Sequence, residues 1–496
     1  MLTTLAAPAF ADIWHIENGD ITISAGESGN NVTQNNNTTY GDTNTIITNQ
    51  NKDTASSHTV TIEAKDKDDK VEVPLKDVNI DPSSRNKAAV SVTGEGDTNI
   101  KLDGDNALKS DIYRSGIYGS GSGSLTISGG ENDSLTAQGG SGANGISSSG
   151  SLTISGGTVT ANGDDGGRGI SSSGSVTISG GSTVTANGGS GTISGGDGIC
   201  SSGGVTISGG STVTANGGNG GSLVGGDGIR SDGGVTISGG TVKAAGGDSK
   251  DGYGGDGIRS GGGVTISGNT VNAAGGNGGK VGGYGICSFD RVAISGGTVE
   301  AAGGNGSTGG GSGIYSSVID LSGSLELTAK AGSPNGKALS QKGSELVLDT
   351  IKDKLGPGAK VTATDADGKV IDQVSTPRPV EPEESSSSSD GGSSAPSAPT
   401  SPLPGLTVTD KDGQRISYTS TQSGNTLTVC VGRFTASFRI SLAALRQLRA
   451  EGIDTITFQT ILCSTTLSVD ELLAMGGEDA EAVLTHRFTD SSLTVG

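Results

Sequence analysis

Three aspartates in the middle of this chain stand at equivalent positions and could together bind a cation. Asp197, Asp227 and Asp256 each precede an isoleucine by two residues, in an Asp-Gly-Ile step. If the segments that carry them stack in register as strands, neighbouring carboxylates come within about 5 Å of each other. Like charges at that separation repel, and a hard cation such as calcium would relieve the repulsion by bridging carboxylate and loop carbonyl oxygens. The alternative is that the strand corner splays the carboxylates into water, where the repulsion is screened.

Arginines and tyrosines stand next to these aspartates in the repeat. Arg230 and Arg259 directly follow the isoleucines, as does Tyr315, and Tyr284 occupies the aspartate position of a later repeat. Guanidinium groups and phenol rings beside carboxylates can hold a sugar by hydrogen bonding and stacking. The four residues are therefore candidate ligand-binding residues, and a solvated polar face is the alternative interpretation.

Catalysis finds little support in the residue pattern. The three histidines, His15, His58 and His486, lie in three separate regions, and no nucleophile triad, zinc motif or phosphate loop has its required context. Paired carboxylates for glycoside hydrolysis remain an open alternative, because an aspartate ladder brings carboxylates close together. Like residues that recur repeat after repeat favour a structural or binding role.

A recurring phrase, G-I-x-S-x-G-x-V-T-I-S-G-G-T-V-x-A, must position all of these residues. From Ile146 onward a second isoleucine always follows the first by eight residues, so variation in repeat length falls in the Gly-rich stretch that closes each repeat. This indicates rigid coils joined by one variable loop, as in a solenoid. The first isoleucines of the eight repeats are Ile117, Ile146, Ile170, Ile199, Ile229, Ile258, Ile286 and Ile314.

Each repeat predicts three short strands whose corners are glycine pairs, which is typical of a parallel β-helix. In one coil the strands run over residues 228–231, 235–238 and 241–244. Alternation then predicts two sets of side chains. The inward set is Ile229, Val235, Ile237, Val242 and Ala244, and the outward set is Arg230, Thr236, Ser238 and Lys243.

The remaining sequence divides the chain into five parts. Residues 1–11 are interpreted as the remnant of a signal peptide, since Ala9-Phe10-Ala11 is typical of a cleavage site; an ordinary terminal coil is the alternative. Residues 12–115 predict irregular first coils or a cap, and 116–375 the β-helix repeats with a last coil or cap at their end. Pro- and Ser-rich residues 376–404 predict a disordered linker. Residues 405–496 predict a small α+β domain with helices starting at Ser441 and Ser468.

Composition narrows the classes of partner. The chain has 496 residues and a net charge of −20, and only 3% of it is aromatic. The acidic balance disfavours nucleic acids and anionic membrane surfaces, because phosphate binding requires clustered Lys and Arg. No stretch is long and apolar enough to span a bilayer. We expect an exported, soluble monomer.

Cysteines add one further expectation. Cys200 and Cys287 lie three coils apart, beyond disulfide reach, and are predicted to be free and outward-facing. Cys430 and Cys463 lie in the C-terminal domain, where they could pair in an exported protein.

Three stretches, residues 226–242, 74–81 and 100–106, carry a family resemblance. They resemble Gly-rich right-handed parallel β-helix proteins exported by anaerobic Gram-positive bacteria, a group similar to the pectate-lyase-like superfamily. The resemblance covers roughly residues 70–350. It implies a right-handed solenoid at the cell surface, and some members of the group are calcium-containing carbohydrate-binding proteins rather than lyases.

The resemblance also adds one residue to the candidate metal ligands. The family-like pattern D-G-I-x-x-D-G maps fully onto Asp227 and Asp232, whereas Ser202 and Gly261 replace the second acid after Asp197 and Asp256. The candidate metal ligands are thus Asp197, Asp227, Asp256 and Asp232.

Together these observations predict an exported, non-catalytic β-helix that binds carbohydrate or another extracellular polymer, with possible help from calcium. Two alternatives stay open: a structural or adhesive cell-surface spacer, and a polysaccharide lyase or glycosidase.

Overall fold

The computed structural model describes residues 13–377 and most of residues 405–495. The described parts of the C-terminal region are 405–410, 414–416, 418–423, 425–431, 435–460, 464–477, 480–486 and 491–495. The predicted signal-peptide remnant, almost all of the predicted linker and Cys463 lie outside the described residues. The chain divides into two compact units, residues 1–382 and 383–496.

The first unit is a parallel β-solenoid of about 13 turns, which confirms the predicted β-helix fold; 52% of the structure is strand and 6% helix. Most turns contribute a strand to each of three faces. Strands of the first face are Ile21–Gly26, Val60–Ala64, Val90–Gly94, Ile117–Gly119, Ile146–Ser148, Ile170–Ser172, Ile199–Ser201, Ile229–Ser231, Ile258–Ser260 and Leu339–Gln341. Two long strands, Ile286–Ile294 and Ile314–Leu321, run from the first face into the second.

The second and third faces complete each turn. The second contains Ile13–His15, Ile46–Thr48, Lys70–Lys76, Asp97–Asp103, Leu125–Ser128, Leu152–Ser155, Val176–Ser179, Val205–Ile207, Val235–Ile237 and Val264–Ile266. The third contains Asn79–Ile80, Asp105–Lys109, Ser134–Ser141, Thr158–Asp164, Thr183–Asn187, Thr212–Asn216, Thr241–Ala245, Asn269–Ala274, Gly297–Ala302, Leu325–Lys330, Lys360–Thr364 and Val370–Ser375.

Like residues stack on like, and this fixes the register and the core. Ile229 pairs with Ile199 on one side and Ile258 on the other. The five residues predicted to face inward are each at most 1% exposed, as expected for a hydrophobic column that runs from coil to coil. A buried Val or Ile side chain contributes about 2 kcal/mol. The solenoid is therefore stabilised by many small, repeated terms.

Both ends of the solenoid are covered by antiparallel elements. Near the N-terminus, Ile21–Gly26, Gly29–Gln34 and Asn37–Asp42 form a meander. At the other end Val370–Ser375 pairs antiparallel with Lys360–Thr364. A second hairpin, Leu339–Gln341 with Ser344–Glu345, and 3₁₀ helices at Ile16–Asn18 and Leu348–Lys354 complete the ends.

The solenoid extends beyond the eight recognisable repeats, into the segment for which the sequence predicts irregular first coils or a cap. The segment before residue 116 lacks the recurring phrase, yet its strands stack on the same faces, as when Val60 pairs with Val90 and Val90 with Ile117. Stacking needs only a matching pattern of inward side chains, so the structure extends the solenoid beyond the recognisable repeat.

The Gly-rich segments, in which the repeats vary in length, are ordered. They form two ladders of single β-bridges, one through Gly191, Gly220, Ser249, Gly278 and Gly306 and one through Ser194, Val224, Tyr253, Val281 and Gly309. A Cβ atom built on Gly255 would lie 1.9 Å from the carbonyl oxygen of Gly226 one coil away. No residue with a side chain fits such a contact, so glycine is required there.

The described residues of the second unit form two four-stranded sheets and two helices. One sheet comprises Leu406–Thr409, Ala436–Ser441, Glu481–His486 and Ser491–Val495, and the other Thr419–Ser423, Thr426–Cys430, Thr455–Gln459 and Ser464–Ser468. Helices Leu442–Ala450 and Val469–Ala474 begin after Ser441 and Ser468, whose side chains accept hydrogen bonds from the amides of Ala444 and Glu471, as predicted. Phe438 and Phe458 lie in its core.

Among the described residues, no helix has both the length and the apolar character that crossing a membrane would require.

Candidate functional site

The predicted aspartates line a groove at the corner that leads into the first face. We call this the main groove; it has a volume of about 760 Å³, and Arg168, Asp197, Asp227, Arg230, Asp256 and Arg259 line its polar wall. The opposite lip is the Gly-rich ladder through Ser194, Val224, Tyr253 and Val281. The groove thus runs along the stacking direction over several coils.

Each aspartate holds the backbone of the next coil. Oδ1 of Asp197 accepts a hydrogen bond from the Asp227 amide at 2.9 Å, and Oδ1 of Asp227 accepts one from the Asp256 amide at 2.7 Å. Oδ1 of Asp256 likewise accepts a hydrogen bond from the Tyr284 amide at 2.7 Å. Oδ1 of Asn144 accepts one from the Arg168 amide at 2.8 Å. We call this row of side chains the carboxylate ladder.

Burial follows from this bonding. The three aspartates are only 4–6% exposed, so the alternative in which the strand corner splays the carboxylates into water was wrong. The glycine after each aspartate makes the corner possible, since a Cβ on Gly228 would lie 2.6 Å from the Gly257 oxygen. The Asp-Gly-Ile step therefore turns the carboxylate towards the next coil instead of outwards.

Arginines neutralise the two ends of the ladder. Oδ2 of Asp197 pairs with Nε of Arg168 at 3.2 Å, and Oδ2 of Asp256 with Nη1 of Arg259 at 3.3 Å. Within the described part of the chain, no ion pair is formed by Asp227 or Arg230. Three carboxyl groups and three guanidinium groups thus share one wall, and its central acid and base have no ion-pair partner among the described residues.

Two acids of the ladder, Asp227 and Asp256, have pKa values shifted towards the protonated form. Burial raises the pKa of Asp227 well above its ordinary value, and the charges of Asp256 and Asp197 raise it further. Burial also raises the pKa of Asp256 to about 6, although the Tyr284 amide and Arg259 oppose the shift. The groove therefore becomes more positive in mildly acidic solution.

Tyrosines supply flat apolar surfaces at the groove. The rings of Tyr284 and Tyr315 stack, with centroids 4.9 Å apart and planes at 18°. Tyr253 stands on the Gly-rich lip and is 51% exposed. Arg259 lies 5.4 Å from the centre of the Phe289 ring, a cation–π contact that holds the guanidinium in place.

The two solenoid cysteines are not reactive thiols. Cys200 and Cys287 are free, as predicted, and Cys287 is only 1% exposed. It pairs in register with Arg259 and Tyr315, whose larger side chains flank it. Burial raises the pKa of Cys200 to about 11 and that of Cys287 further. Cys430 is free, and its predicted partner Cys463 lies outside the described residues.

The structure brings most of the candidate residues together. Asp197, Asp227, Asp256, Arg230, Arg259 and Tyr284 line the main groove, and Tyr315 stacks on Tyr284 at its end. Asp232 is exposed beyond the far end of strand Ile229–Ser231 and is not part of the groove. In the part of the chain that the structure describes, no three His, Cys, Asp or Glu residues are grouped as metal ligands.

Sequence reasoning missed two groove residues. Arg168 occupies the same repeat position as the aspartates, so its place in the row could have marked it. Tyr253 lies in a Gly-rich segment without strand alternation, which gave no signal.

A second ladder of the same kind also went unrecognised. Asn219, Asp248, Asn277 and Asn305 pass backbone hydrogen bonds from coil to coil in the same way, at 2.6–2.9 Å. Asn and Asp side chains at a fixed repeat position thus link successive coils both in the carboxylate ladder and in this second ladder.

No protein-family model matches the chain, and no curated protein or solved structure was found to be similar to it. The resemblance to Gly-rich β-helix proteins is supported at the level of the parallel β-solenoid, and the function must be argued from the groove.

Proposed function

We propose that this protein is an exported, non-catalytic carbohydrate-binding solenoid whose main groove holds a polysaccharide or a similar extracellular polymer. The supporting observation is the wall that combines Arg230 and Arg259 with Asp227 and ends in the Tyr284–Tyr315 stack. Sugar hydroxyls both donate and accept hydrogen bonds, and their C–H faces pack on aromatic rings. A wall that carries donors, acceptors and rings in a row suits such a ligand.

Arg230 is the residue on which the proposal depends most. It is half-buried, lines the groove and forms no ion pair among the described residues, so its donors are available to a ligand. Its neighbours Arg168 and Arg259 are engaged with carboxylates and define the edges of the groove.

A glycan array with the full chain tests the proposal. We expect wild type to retain at least one polysaccharide and Arg230→Ala to weaken its retention about tenfold or more. Lys243→Ala is the matched control, because Lys243 lies on the same coil but is exposed on the third face. If no polysaccharide is retained by wild type, or if both variants bind equally well, the groove is not a carbohydrate site.

Assistance by calcium is the alternative to binding without a metal ion, and the same experiment tests it. Oδ1 of each ladder aspartate is occupied by a backbone amide, and two of the three Oδ2 atoms face arginine. A cation would compete with these arginines, so we expect retention to survive a chelator. Loss on chelation with recovery on adding calcium would instead assign the ion to the site.

A structural or adhesive spacer is the second candidate, and the carboxylate ladder favours it. Every ladder aspartate has a role in the fold without any ligand, and the second ladder has the same role outside the main groove. In this case the C-terminal unit would be the working or anchoring end. Removing residues 1–375 would then leave surface binding intact, whereas the carbohydrate proposal expects the loss of polymer binding.

An enzyme is the third candidate, supported by the raised pKa of Asp227 beside Asp256. Carboxyl groups one coil apart, at about 5 Å, have the separation found in retaining glycosidases. Release of product from pectin or a similar polymer, abolished in Asp227→Asn, would establish an enzyme. The absence of product from a polymer that the protein demonstrably binds would support binding without catalysis.

A further inference from the structure

A second, smaller groove lies on the first face near the N-terminal end of the solenoid. Its volume is about 300 Å³, and Thr61, Ser91 and Tyr118 line it together with Lys87 and Arg114. We call it the N-terminal groove. The sequence did not single out this site.

The two grooves lie in line. Thr61 pairs in register with Ser91, and Ser91 with Tyr118. From Tyr118 the same row continues on successive coils to the main groove and the tyrosine stack. Its further members are Ser147, Ser171, Cys200, Arg230, Arg259, Cys287 and Tyr315.

The lining residues of the two grooves lie on consecutive coils. The N-terminal groove ends on the coil of Tyr118, and the main groove begins with Asn144 on the next coil. The floor between Tyr118 and Arg230 consists of the small side chains of Ser147, Ser171 and Cys200. A ligand can therefore pass from one groove into the other without meeting a bulky residue.

The N-terminal groove repeats the chemistry of the main groove. Lys87 is held by Asp20 at 2.8 Å, and Nε of Arg114 donates to the Asn86 side chain at 3.1 Å. Tyr118 is 42% exposed above the same face. Fixed cationic donors and an accessible ring thus stand at both ends of one row.

We propose that the ligand is an unbranched, extended glycan that lies parallel to the solenoid axis and fills both grooves at once. This rests on the proposed carbohydrate function and adds the orientation and the length of the ligand. The row from Thr61 to Tyr315 spans nine coil steps, or roughly 43 Å at the strand spacing. A sugar residue of an extended chain advances by about one coil spacing, so the row accommodates about eight or nine residues.

Chain length then controls affinity. A glycan that reaches both grooves binds the second one intramolecularly, at a high effective concentration, whereas a short glycan occupies only one. Affinity should rise steeply once the chain is long enough to span the two sites.

Titration calorimetry with the full chain tests this with two series of oligosaccharides, xylo-oligosaccharides and oligogalacturonates, each of about three, six and nine residues. We expect the longest member of at least one series to bind at least about tenfold more tightly than the shortest. Tyr118→Ala should lower the affinity for the longest oligosaccharide about fivefold and change the affinity for the shortest by no more than about twofold. Tyr40→Ala is the control, since Tyr40 is 77% exposed and lies in neither groove.

The outcomes separate this inference from the function on which it rests. Equal affinity at all lengths, still sensitive to Arg230→Ala, would overturn the two-groove site and leave carbohydrate binding intact. The same holds if Tyr118→Ala leaves the longest ligand unaffected. Binding of neither series at any length would count against both proposals.

Discussion

Asp227 has two opposite effects on the stability of the solenoid. Its Oδ1 atom satisfies the amide of the next coil, which requires only an acceptor and no charge. Its charge, in contrast, is costly because the group is buried between two other aspartates. Asn144 performs the same task on an earlier coil as a neutral amide.

Replacing the acid with its amide should therefore stabilise the solenoid. We expect Asp227→Asn to raise the free energy of unfolding by about 1–2 kcal/mol at neutral pH, because the acceptor stays and the buried charge is removed. Asp227→Ala removes the hydrogen-bond acceptor as well, so its free energy of unfolding should be about 1–3 kcal/mol lower than that of Asp227→Asn. Chemical denaturation at pH 7 measures both. An Asn variant less stable than wild type would show that the charge itself supports the fold.

The same residues predict how stability depends on pH. When folding raises the pKa of an acid, the folded protein favours the protonated form, so stability is highest below the unfolded pKa. It then falls as the pH rises towards the folded value, which for Asp256 is about 6. Wild type should thus lose stability between about pH 4 and pH 6, and Asp227→Asn should flatten that loss. If thermal melts show the same dependence of stability on pH for wild type and Asp227→Asn across this range, the raised pKa values are contradicted.

At the scale of elements, the Gly-rich ladder and the strands depend on different features of the sequence. The strands could be predicted because β-branched residues alternate and the eight-residue step is constant. Glycine has no side chain to alternate, so the ladder could not be recognised, and Tyr253 was lost with it. The carboxylate ladder was found as a row of residues, but its hydrogen bonds depend on a corner that turns each side chain towards the next coil.

A pair of glycine substitutions tests the ladder. Gly255→Ala should lower the free energy of unfolding by at least about 3 kcal/mol. The new Cβ would overlap the Gly226 carbonyl oxygen, and only backbone movement could relieve the contact. Gly309→Ala should be nearly neutral, since the nearest atoms to its Cβ are Val281 methyl groups at 3.8 Å. Other coils carry Ser194, Val224 and Tyr253 at that position. If the two variants melt at the same temperature, the close packing at Gly255 is refuted.

At the scale of the whole molecule, the solenoid is a one-dimensional stack. Each coil contacts mainly its two neighbours, and stability is close to a sum over coils and interfaces. The repeats were sufficient to predict this architecture, but not its length. Three first-face strands and four second-face strands precede Ile117. They follow the inward pattern without the recurring phrase, so the sequence predicted only irregular first coils or a cap there.

The stack predicts which deletions are tolerated. Removing residues 229–257 joins Gly228 to Ile258, which occupies the same register position as Ile229. The shortened chain should fold and melt cooperatively, because every remaining coil keeps a matching neighbour. Removing only residues 229–242 joins a first-face corner to the third face and should prevent the C-terminal half from stacking. Circular dichroism compares the two, and equal folding would contradict the one-dimensional description.

The close contact at the Gly-rich ladder also limits how such a chain can change over generations. Every single-base change in a glycine codon that alters the amino acid, if it does not stop translation, introduces a residue with a Cβ atom. At the positions where a Cβ would overlap a carbonyl oxygen of the next coil, each of these changes is harmful. Point mutation can therefore remodel the grooves at positions such as Arg230 and Tyr118, but not the tightly packed glycines beside them, such as Gly255. The length of the row can change only by duplication or loss of whole repeats, so its reach grows or shrinks one sugar residue at a time.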